Sequence, residues 1–365
     1  MRVLQVTPLY FPNLGGIEVV VKQLSELLVE KGIDVVVYSI DLRSRTVEEE
    51  DVNGVLVKRF QPLIGDPLYL PQTNFIKAVR NEKADVIHVH NVHTLLPTLT
   101  ALAKRNRQKL LLQPHYHRFG QTIIRNFLLR IYRNSLDKLV FPRTRFVIVN
   151  SSHEESMIKE DFPHCSNIVL IPQGIQLTEL KAVKWRPEKE KRILSVGVLR
   201  RQKNIDRLLE AFAYLVKEKE GEQFKLVIVG DGPERERLIS STRKIGVEGF
   251  VEWKHSLSRQ ELLAEYARAR VFVSLSTLES FGRVMYEAIL IGVPTVVPIF
   301  GATANLVEKG LVEGIGSLDP KVIANTILRA AEKPPVKNAE IPETFLTWDE
   351  YTERILELYQ KPCQR

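Results

Sequence analysis

The sequence predicts an α/β protein built from two similar halves, each with a parallel, doubly wound sheet. The length of 365 residues exceeds the usual size of one domain. Short apolar runs typical of buried strands alternate with amphipathic helical segments in the first half, and the same alternation restarts near residue 192. This order places parallel strands in one sheet with helices on both faces.

The first half is predicted to begin with a strand at Arg2–Thr7 and a helix that ends at Gly32. One face of this helix carries apolar side chains at helical spacing, namely Ile17, Val20, Val21, Leu24 and Leu28. Further strands are predicted at 34–40, 55–60, 85–90, 110–113, 146–150 and 168–171. Helices are expected in the intervals between these strands.

The second half follows a polar linker, which is predicted at 177–191. Its strands are predicted at 192–196, 224–229, near 251, 271–275 and 294–298. The helix after Asn204 aligns Ile205, Leu208, Leu209, Phe212 and Val216. A last helix is predicted at 348–359, because Thr347 and Glu350 have the spacing of a capping box.

The charge balance narrows the classes of ligand. The net charge of +8 arises from 52 basic and 44 acidic residues. A mild basic excess suits phosphorylated ligands or an anionic membrane surface. The sequence contains no Lys/Arg-rich arm, which disfavours a dedicated nucleic-acid binder.

The cysteines and the apolar segments indicate the cellular compartment and the kind of membrane contact to be expected. Cys165 and Cys363 are far apart and give neither a disulfide framework nor metal-ligand spacing, so a reduced cytoplasmic compartment is expected. The N-terminus passes straight into a strand, unlike a signal peptide. Prolines interrupt 288–305, the longest uncharged stretch, so membrane contact is expected to be peripheral, at the inner face.

Two acids, Glu279 and Glu287, flank the passage from a predicted strand into a helix. Ligands bind at the carboxyl ends of strands in such sheets. Phe281, Gly282 and Arg283 are expected to begin that helix, and their backbone N–H groups are expected to face a ligand because the first helical amides lack intrahelical partners. Ser280, in the turn before them, is assigned to the same site. A sugar nucleotide fits such a site. The two carboxylates would repel the diphosphate of this ligand. They are therefore expected to bind its neutral hydroxyls, those of the ribose for Glu287 and those of the transferred sugar for Glu279.

This stretch resembles the Glu-seven-Glu motif of retaining glycosyltransferases of family 4, and the resemblance covers nearly the whole chain. It implies the GT-B fold, in which two facing Rossmann-like domains enclose a cleft. The acceptor-side domain would be 1–178, with the C-terminal helix 346–362 packed back on it, and the nucleotide-sugar domain 190–340. The implied reaction moves a hexose from a nucleotide diphosphate sugar, by default a UDP-sugar, to a hydroxyl acceptor without metal or cofactor.

The resemblance also assigns glycine loops to the phosphates. Gly15 and Gly16 precede a helix, where exposed amides bind anions. Taken alone, this pair is equally consistent with a tight turn; in the family it lies against the donor phosphates and the acceptor. Gly230, in a Gly-Asp-Gly-Pro turn, is expected to lie beside the nucleotide.

The loop 197–204 resembles the family's loop in which an arginine and a lysine neutralise the diphosphate. Lys203 matches the lysine. Val198 stands where the family has arginine, which puts the rate and the donor identity in doubt. Arg200 or Arg201 is the alternative source of that cation, because guanidinium binds phosphate at two points; both are equally consistent with solvated loop residues.

Five of the eight histidines lie between 88 and 117. His88 and His90 share one face of a strand, but no acidic or cysteine partner has ligand spacing, so no metal site is expected. His115 matches the family's histidine near the reacting carbon and is assigned a catalytic role, with His117 as the alternative. Both are also assigned to the acceptor side. The competing interpretation is a packed or capping histidine.

The segment 118–145 carries seven basic residues and one acid between apolar positions. Such a basic amphipathic stretch suits an anionic membrane, where a lipid-linked or glycolipid acceptor would lie. An ordinary helix with a solvated charged face, and a soluble sugar acceptor, are the alternatives.

In the implied mechanism, Lys203 stabilises the departing diphosphate and Glu279 fixes the donor sugar. A sugar-nucleotide 2-epimerase of similar architecture is the alternative enzyme. A catalytically weak nucleotide-binding regulator is a third interpretation. A dinucleotide oxidoreductase is disfavoured, because neither half has the glycine fingerprint. The sequence leaves the oligomeric state open.

Overall fold

A computed structural model of the chain describes residues 1–13, 15–41, 48–66, 68–119, 123–218, 224–277, 281–299, 303–334 and 345–362. Two compact units are present: an N-terminal unit of 1–174 with 344–365, and a C-terminal unit of 175–343. Each unit has its own parallel sheet with helices between successive strands. The predicted α/β, doubly wound fold class is confirmed.

The strands match the sequence predictions closely in both units. In chain order they are β1 (Arg2–Val6), β2 (Asp34–Ile40), β3 (Glu48–Val52), β4 (Val55–Phe60), β5 (Pro62–Ile64), β6 (Leu70–Pro71), β7 (Val86–His90), β8 (Lys109–Gln113), β9 (Phe146–Val149), β10 (Ile168–Leu170), β11 (Gly174–Ile175), β12 (Lys191–Val196), β13 (Phe224–Val229), β14 (Val251–Lys254), β15 (Val271–Val273), β16 (Thr295–Pro298), β17 (Glu313–Ile315) and β18 (Leu346–Thr347).

The helices lie between these strands. They are α1 (Gly16–Glu30), α2 (Thr73–Asn81), α3 (Leu96–Ala103), α4 (Ile123–Ile131), α5 (Asp137–Val140), α6 (Ser152–Asp161), α7 (Leu177–Ala182), α8 (Ile205–Glu218), α9 (Arg235–Ile245), α10 (Arg259–Arg268), α11 (Arg283–Ile291), α12 (Ala304–Glu308), α13 (Pro320–Glu332) and α14 (Trp348–Gln360). A π-helical turn, Tyr132–Leu136, joins α4 to α5.

The strand order locates the ligand-binding edge of each sheet. The N-terminal sheet has the order β10-β9-β8-β7-β1-β2-β4-β3, and the C-terminal sheet β14-β13-β12-β15-β16-β17. In each sheet, the strands that directly follow the first strand (β1 or β12) lie on one side of it, and the later strands lie on its other side. The topological switch points therefore lie between β1 and β7 and between β12 and β15, where open α/β sheets bind ligands.

Strand β3 was not predicted, and its sequence explains why. It is strongly acidic, without the alternation of apolar and polar residues that marks a strand. It is the antiparallel edge of its sheet, paired with β4. Lys58 pairs with Glu49 at 2.8 Å and Arg59 pairs with Glu50, so cross-strand charge stabilises a segment that hydrophobicity does not reveal.

Helix α14 packs against the N-terminal sheet beside α1. It begins with the predicted capping box, in which Thr347 Oγ1 accepts from the Glu350 amide at 3.2 Å and the Glu350 carboxylate accepts from the Thr347 amide at 2.7 Å. Trp348 is buried over Gly174, where a Cβ would lie 2.6 Å from Trp348 Cε3. Glycine is therefore required for this close approach.

Replacing Trp348 with alanine is expected to lower the free energy of unfolding by about 3–5 kcal/mol, because the cavity left over Gly174 has no side chain to fill it. Urea denaturation of the full chain measures the loss. Glu353→Ala, at an exposed position of the same helix, should change stability by less than about 1 kcal/mol. A Trp348→Ala loss no larger than this control would contradict the packing role of α14.

Candidate functional site

The loop after β12 is tied to the end of β15 by one residue. Asn204 has a left-handed backbone (φ 51°), and its side-chain amide donates to the carbonyl of Leu275 at 2.8 Å. A short 3-10 turn, Arg201–Lys203, precedes it and leads into α8. Asn204 therefore fixes the loop that carries Lys203 at the switch point between β12 and β15.

Lys203 lies over Gly197. Its Cε is 3.6 Å from the point that a Cβ on Gly197 would occupy, and its side chain helps line a small cavity with Ser195, Leu199 and Ser274. Gly197 has φ of 150°, which side-chain-bearing residues rarely adopt. The structure thus places the predicted lysine at the carboxyl end of a buried parallel strand, where a phosphorylated ligand is expected.

The two candidate replacements for the missing arginine differ in their surroundings. Arg201 is 82% exposed, and its Nε is 3.5 Å from the Glu234 carboxylate. Arg200 is partly buried, and its carbonyl accepts from the Lys203 amide at 3.0 Å. Val198 lies at the surface of the same loop. Arg200 and Lys203 thus belong to one turn, and which arginine serves the phosphates stays a prediction.

Gly230 and Gly232 have a packing role that the sequence did not indicate. Both have strongly positive φ values, and a Cβ on Gly232 would lie 2.6 Å from the Leu199 amide nitrogen. A Cβ on Gly230 would overlap the carbonyl of Gly197. The Leu199 amide donates to the Asp231 carbonyl at 2.8 Å, which joins the two loops. The glycines permit this contact; nucleotide binding by Gly230 stays a prediction.

Helix α11 begins two residues later than predicted. Arg283 is its first residue, and Gly282 is the N-cap with a left-handed backbone (φ 82°). Phe281 precedes the helix; it is buried, with its ring 4.7 Å from that of Tyr286. Glu279 and Ser280 lie outside the described residues, so their predicted roles are not examined by the structure.

Glu287 lies in the second turn of α11 as a nearly buried carboxylate. Its Oε1 accepts from Arg259 Nη1 at 2.7 Å, and its Oε2 accepts from the Tyr266 hydroxyl at 3.2 Å. Burial raises the pKa of Tyr266 well above its ordinary value, so the hydroxyl stays protonated and can donate. Sequence reasoning missed Arg259, because Ser258-Arg-Gln-Glu261 signals only an ordinary capping box.

On the N-terminal unit, Gly15 and Gly16 begin α1 after the loop that follows β1. Gly15 is the N-cap, and the space beyond Gly16 is open, with nothing within 4 Å of a Cβ built there. The Glu18 side chain folds back beside Gly15, with its carboxyl carbon 3.0 Å from the position of a Cβ. The first amides of α1 are thus placed at the second switch point.

His115 and His117 differ sharply in burial. His115 is 5% exposed, has a left-handed backbone (φ 49°), and its ring lies 5.8 Å from that of His90. His117 is partly buried, stacks on His93 at 3.9 Å and donates from Nδ1 to the Phe119 carbonyl at 2.7 Å. The structure therefore presents the His115 imidazole as packed, which leaves its catalytic assignment a prediction.

The loop that bears His115 is anchored by Glu154, which the sequence reasoning did not assign to the site. Its carboxylate accepts from the amides of Tyr116 at 2.6 Å and Asn150 at 2.8 Å, and from the Asn150 side chain at 3.1 Å. Burial raises the pKa of Glu154 to about 7. Ser151 caps α6, accepting from the Glu154 amide at 3.1 Å.

The buried histidines of β7 are joined in a directed chain of hydrogen bonds. His90 Nε2 donates to Gln5 at 2.9 Å, Gln5 donates to the Tyr359 hydroxyl at 3.1 Å, and that hydroxyl donates to His88 Nδ1 at 2.8 Å. Because its Nδ1 accepts a hydrogen bond, the His88 ring must be neutral. Burial lowers the pKa of His88 to about 3 and that of His90 well below its usual value. Among the residues that the structure describes, no three His, Cys, Asp or Glu side chains form a metal cluster.

Helix α4 and the preceding loop form a basic surface with exposed apolar side chains. Phe119 is 65% and Phe127 63% exposed. Phe119 helps to line a cleft with Arg118, Asn126, Leu129, Arg130 and Arg133. Arg118 and Arg133 each pair with Asp161 at 2.9 Å, so part of the basic charge is neutralised within the unit. In the described ranges, no helix has the length and apolar character needed to cross a bilayer.

The fold and these strand-end groups define a nucleotide-sugar-dependent transferase. The family model for glycosyl transferases group 1 matches 178–341, and the model for glycosyltransferase family 4 matches 14–179. The chain therefore belongs to the group 1 glycosyltransferases of family 4, as the sequence motif predicted. It is a glycosyltransferase that uses a nucleotide-sugar donor, and the epimerase alternative is not favoured.

Individual proteins show the same relationship at low identity. N-acetyl-alpha-D-glucosaminyl L-malate synthase of Bacillus anthracis is 26% identical over 82% of this chain and 80% of its own length. Alpha-monoglucosyldiacylglycerol synthase of Acholeplasma laidlawii is 24% identical over 93% of this chain and 92% of its own. The crystal structure of Anabaena HepE with UDP and glucose superimposes with a TM-score of 0.75 at 19% identity, covering 99% of this chain and all (100%) of HepE.

Proposed function

We propose that the protein is a retaining hexosyltransferase that moves a sugar from a UDP-sugar to a hydroxyl of a lipid-linked or glycolipid acceptor. The observation that carries the proposal is the placement of Lys203 and helix α11 at the switch point between β12 and β15. A cation and helix amides there suit a diphosphate. The UDP and glucose bound to HepE support the choice of nucleotide.

In the proposed reaction, the bond from the anomeric carbon to the diphosphate breaks and a bond to the acceptor oxygen forms on the same face. The acceptor proton passes to the departing diphosphate. Lys203, helped by Arg200 or Arg201 and by the backbone amides of residues 281–283, stabilises the leaving charge without a metal ion. Glu279 holds the donor sugar.

The basic surface around α4 supports the acceptor class. Arg130 lines a cleft with the exposed Phe119, and Phe127 is exposed on the same helix as Arg130, a combination suited to anionic headgroups and the acyl boundary beneath them. The relative from Acholeplasma laidlawii is a synthase of a glucosyldiacylglycerol. We propose that this surface brings the protein to a membrane that holds its acceptor.

Two linked measurements test the proposal. Thermal shift with UDP-, GDP- and ADP-sugars should show the largest stabilisation for a UDP-sugar, because ligands that bind only the native state raise the melting temperature. NMR of the product formed with a glycolipid acceptor in vesicles should show the donor's anomeric configuration. Inverted configuration, release of a C2 epimer, or transfer confined to soluble sugars would each contradict a part of the proposal.

Replacing Glu287 with glutamine is expected to raise the donor KM by about tenfold or more with a smaller effect on kcat, because the ribose is bound alike before and during the reaction. Steady-state kinetics with varied donor concentration measure the change. Glu236→Gln, an exposed acid on α9, serves as the matched control. An unchanged KM in Glu287→Gln would remove the ribose assignment.

A further inference from the structure

Arg259 lies between two carboxylates from different helices of the C-terminal unit. Its Nη1 donates to Glu287 Oε1 at 2.7 Å, and its Nε donates to Glu179 Oε2 at 2.8 Å. Arg259 is the first residue of α10, whose start is fixed by the capping box of Ser258 and Glu261. The guanidinium therefore connects α10, α7 and α11 through two charge-assisted hydrogen bonds.

The carboxylates of Glu287 and Glu179 differ in how strongly they depend on Arg259 as a counter-charge. The Glu287 side chain is 8% exposed, whereas that of Glu179 is 38% exposed. Water can solvate Glu179, but a buried carboxylate depends on a cation and hydrogen bonds to remain charged. Arg259 is thus the counter-charge of Glu287, and Glu179 holds the guanidinium in place.

The contacts also fix the orientation of the Glu287 carboxylate. Arg259 engages Oε1 and the Tyr266 hydroxyl engages Oε2. Each carboxylate oxygen has two lone pairs, so each keeps one for a further donor. Two acceptor lone pairs of Glu287 therefore remain for a ligand, whereas Arg259 Nη2 is sealed from solvent.

This arrangement matches the chemistry of a vicinal diol, in which each hydroxyl can both donate and accept a hydrogen bond. We infer that Arg259 is a positioning residue for the ribose-binding carboxylate Glu287 and selects nucleotides with a ribose over those with a 2′-deoxyribose. The inference rests on the proposed assignment of Glu287 to the ribose. The diol donates to both oxygens of the carboxylate, whose orientation Arg259 fixes.

The test compares each nucleotide with its 2′-deoxy form in the full chain. Calorimetry gives dissociation constants of UDP, GDP and ADP and of their 2′-deoxy analogues for wild type, Arg259→Ala and Arg259→Lys. For the nucleotide that wild type binds best, the ribose form should bind about tenfold tighter than the deoxy form, as expected for a hydrogen bond to a charged group. Arg259→Ala should bring this ratio to within about twofold of one, with an intermediate ratio for Arg259→Lys.

A merely structural role for Arg259 would weaken both forms alike and leave the ratio unchanged. The matched control is Arg268→Ala, an exposed arginine at the end of the same helix, whose ratio should equal that of wild type. Should Arg259→Ala fail to fold, Arg259→Lys decides, since it retains the counter-charge but not the planar fork. A wild-type ratio in the folded Arg259 variants overturns the inference.

Glu287→Gln, measured in parallel, separates this inference from the function on which it rests. A lost preference for ribose in Glu287→Gln but not in the Arg259 variants would leave the ribose assignment intact and overturn only the role of Arg259. A preference that Glu287→Gln does not alter would overturn the ribose assignment and the inference together.

Discussion

Lowering the pH from 7.5 to 5 is expected to reduce the free energy of unfolding of the N-terminal unit by about 2 kcal/mol or more. His88 and His115 have pKa values of about 3 in the folded chain because they are buried, whereas an unfolded histidine titrates near pH 6.5. Between pH 6.5 and pH 3, these histidines therefore bind protons in the unfolded chain but not in the folded chain. Stability is therefore full above about pH 6.5 and falls as the pH drops towards 3.

The expected size follows from the individual groups. At pH 5, each of these two histidines costs about 2 kcal/mol relative to neutral pH, and His90 acts in the same direction. Glu154 acts oppositely: burial raises its folded pKa to about 7, so it contributes stability that is present at low pH and lost as the pH rises through 7. At pH 5, the protonation of Glu154 therefore offsets about 2 kcal/mol of the lost free energy of unfolding, which is less than the loss caused by the histidines.

Hydrogen exchange of peptides from β7 and β8, measured across a urea series at both pH values, reports on this unit separately from the other. His88→Asn should reduce the pH dependence by about 2 kcal/mol, because one buried titrating group is removed. His255→Asn replaces a histidine that is 75% exposed and should leave the pH dependence unchanged. Equal stability at pH 7.5 and 5 would contradict neutral, buried rings.

Replacing Lys203 with alanine is expected to lower kcat/KM by about a hundredfold to a thousandfold. The lysine lies over Gly197 at the strand end where the diphosphate is proposed to bind, and its charge counts most when the diphosphate departs. Water in its place would have to reorganise during the reaction, whereas a fixed ammonium does not. The loss should therefore appear largely in kcat, and steady-state kinetics with saturating acceptor measure it.

Two variants make this result interpretable. Lys203→Arg retains the charge and should recover part of the rate, although the flat guanidinium does not reproduce a point charge over Gly197. Lys217→Ala removes an exposed lysine from the last turn of α8 and should behave as wild type. A Lys203→Ala enzyme within threefold of the Lys217→Ala control would remove Lys203 from the proposed mechanism.

The local sequence pattern predicted most of the strands and helices but not the short or acidic strands. The apolar strands were placed within a residue or two, because burial on both faces leaves a continuous hydrophobic run. Strands β3, β5, β6, β11, β17 and β18 were missed, since they are acidic or only two to five residues long. Pairing with a neighbour, rather than their own composition, defines them.

The residues of the candidate site could be predicted from the sequence only where they belong to a recognisable motif. Lys203 and Glu287 stand at motif positions, and the structure places both at or near strand ends of one sheet. Arg259 and Glu154 reach their partners across 28 and 38 residues of sequence, respectively, through contacts that exist only after folding. No local spacing signals such a contact. Val198 shows the opposite failure, because a motif position was recognisable while its chemistry had changed.

Helix α14 imposes an order on biosynthesis. Its Tyr359 hydroxyl meets Gln5 of the first strand across 354 residues, and its apolar face covers the sheet beside α1. A ribosome must therefore synthesise the whole intervening unit before the first core is complete. Until then, apolar surface on the nascent chain stays uncovered, and long-range contacts of this kind form slowly. Chaperone protection during translation matters most for the part of the protein that is made first.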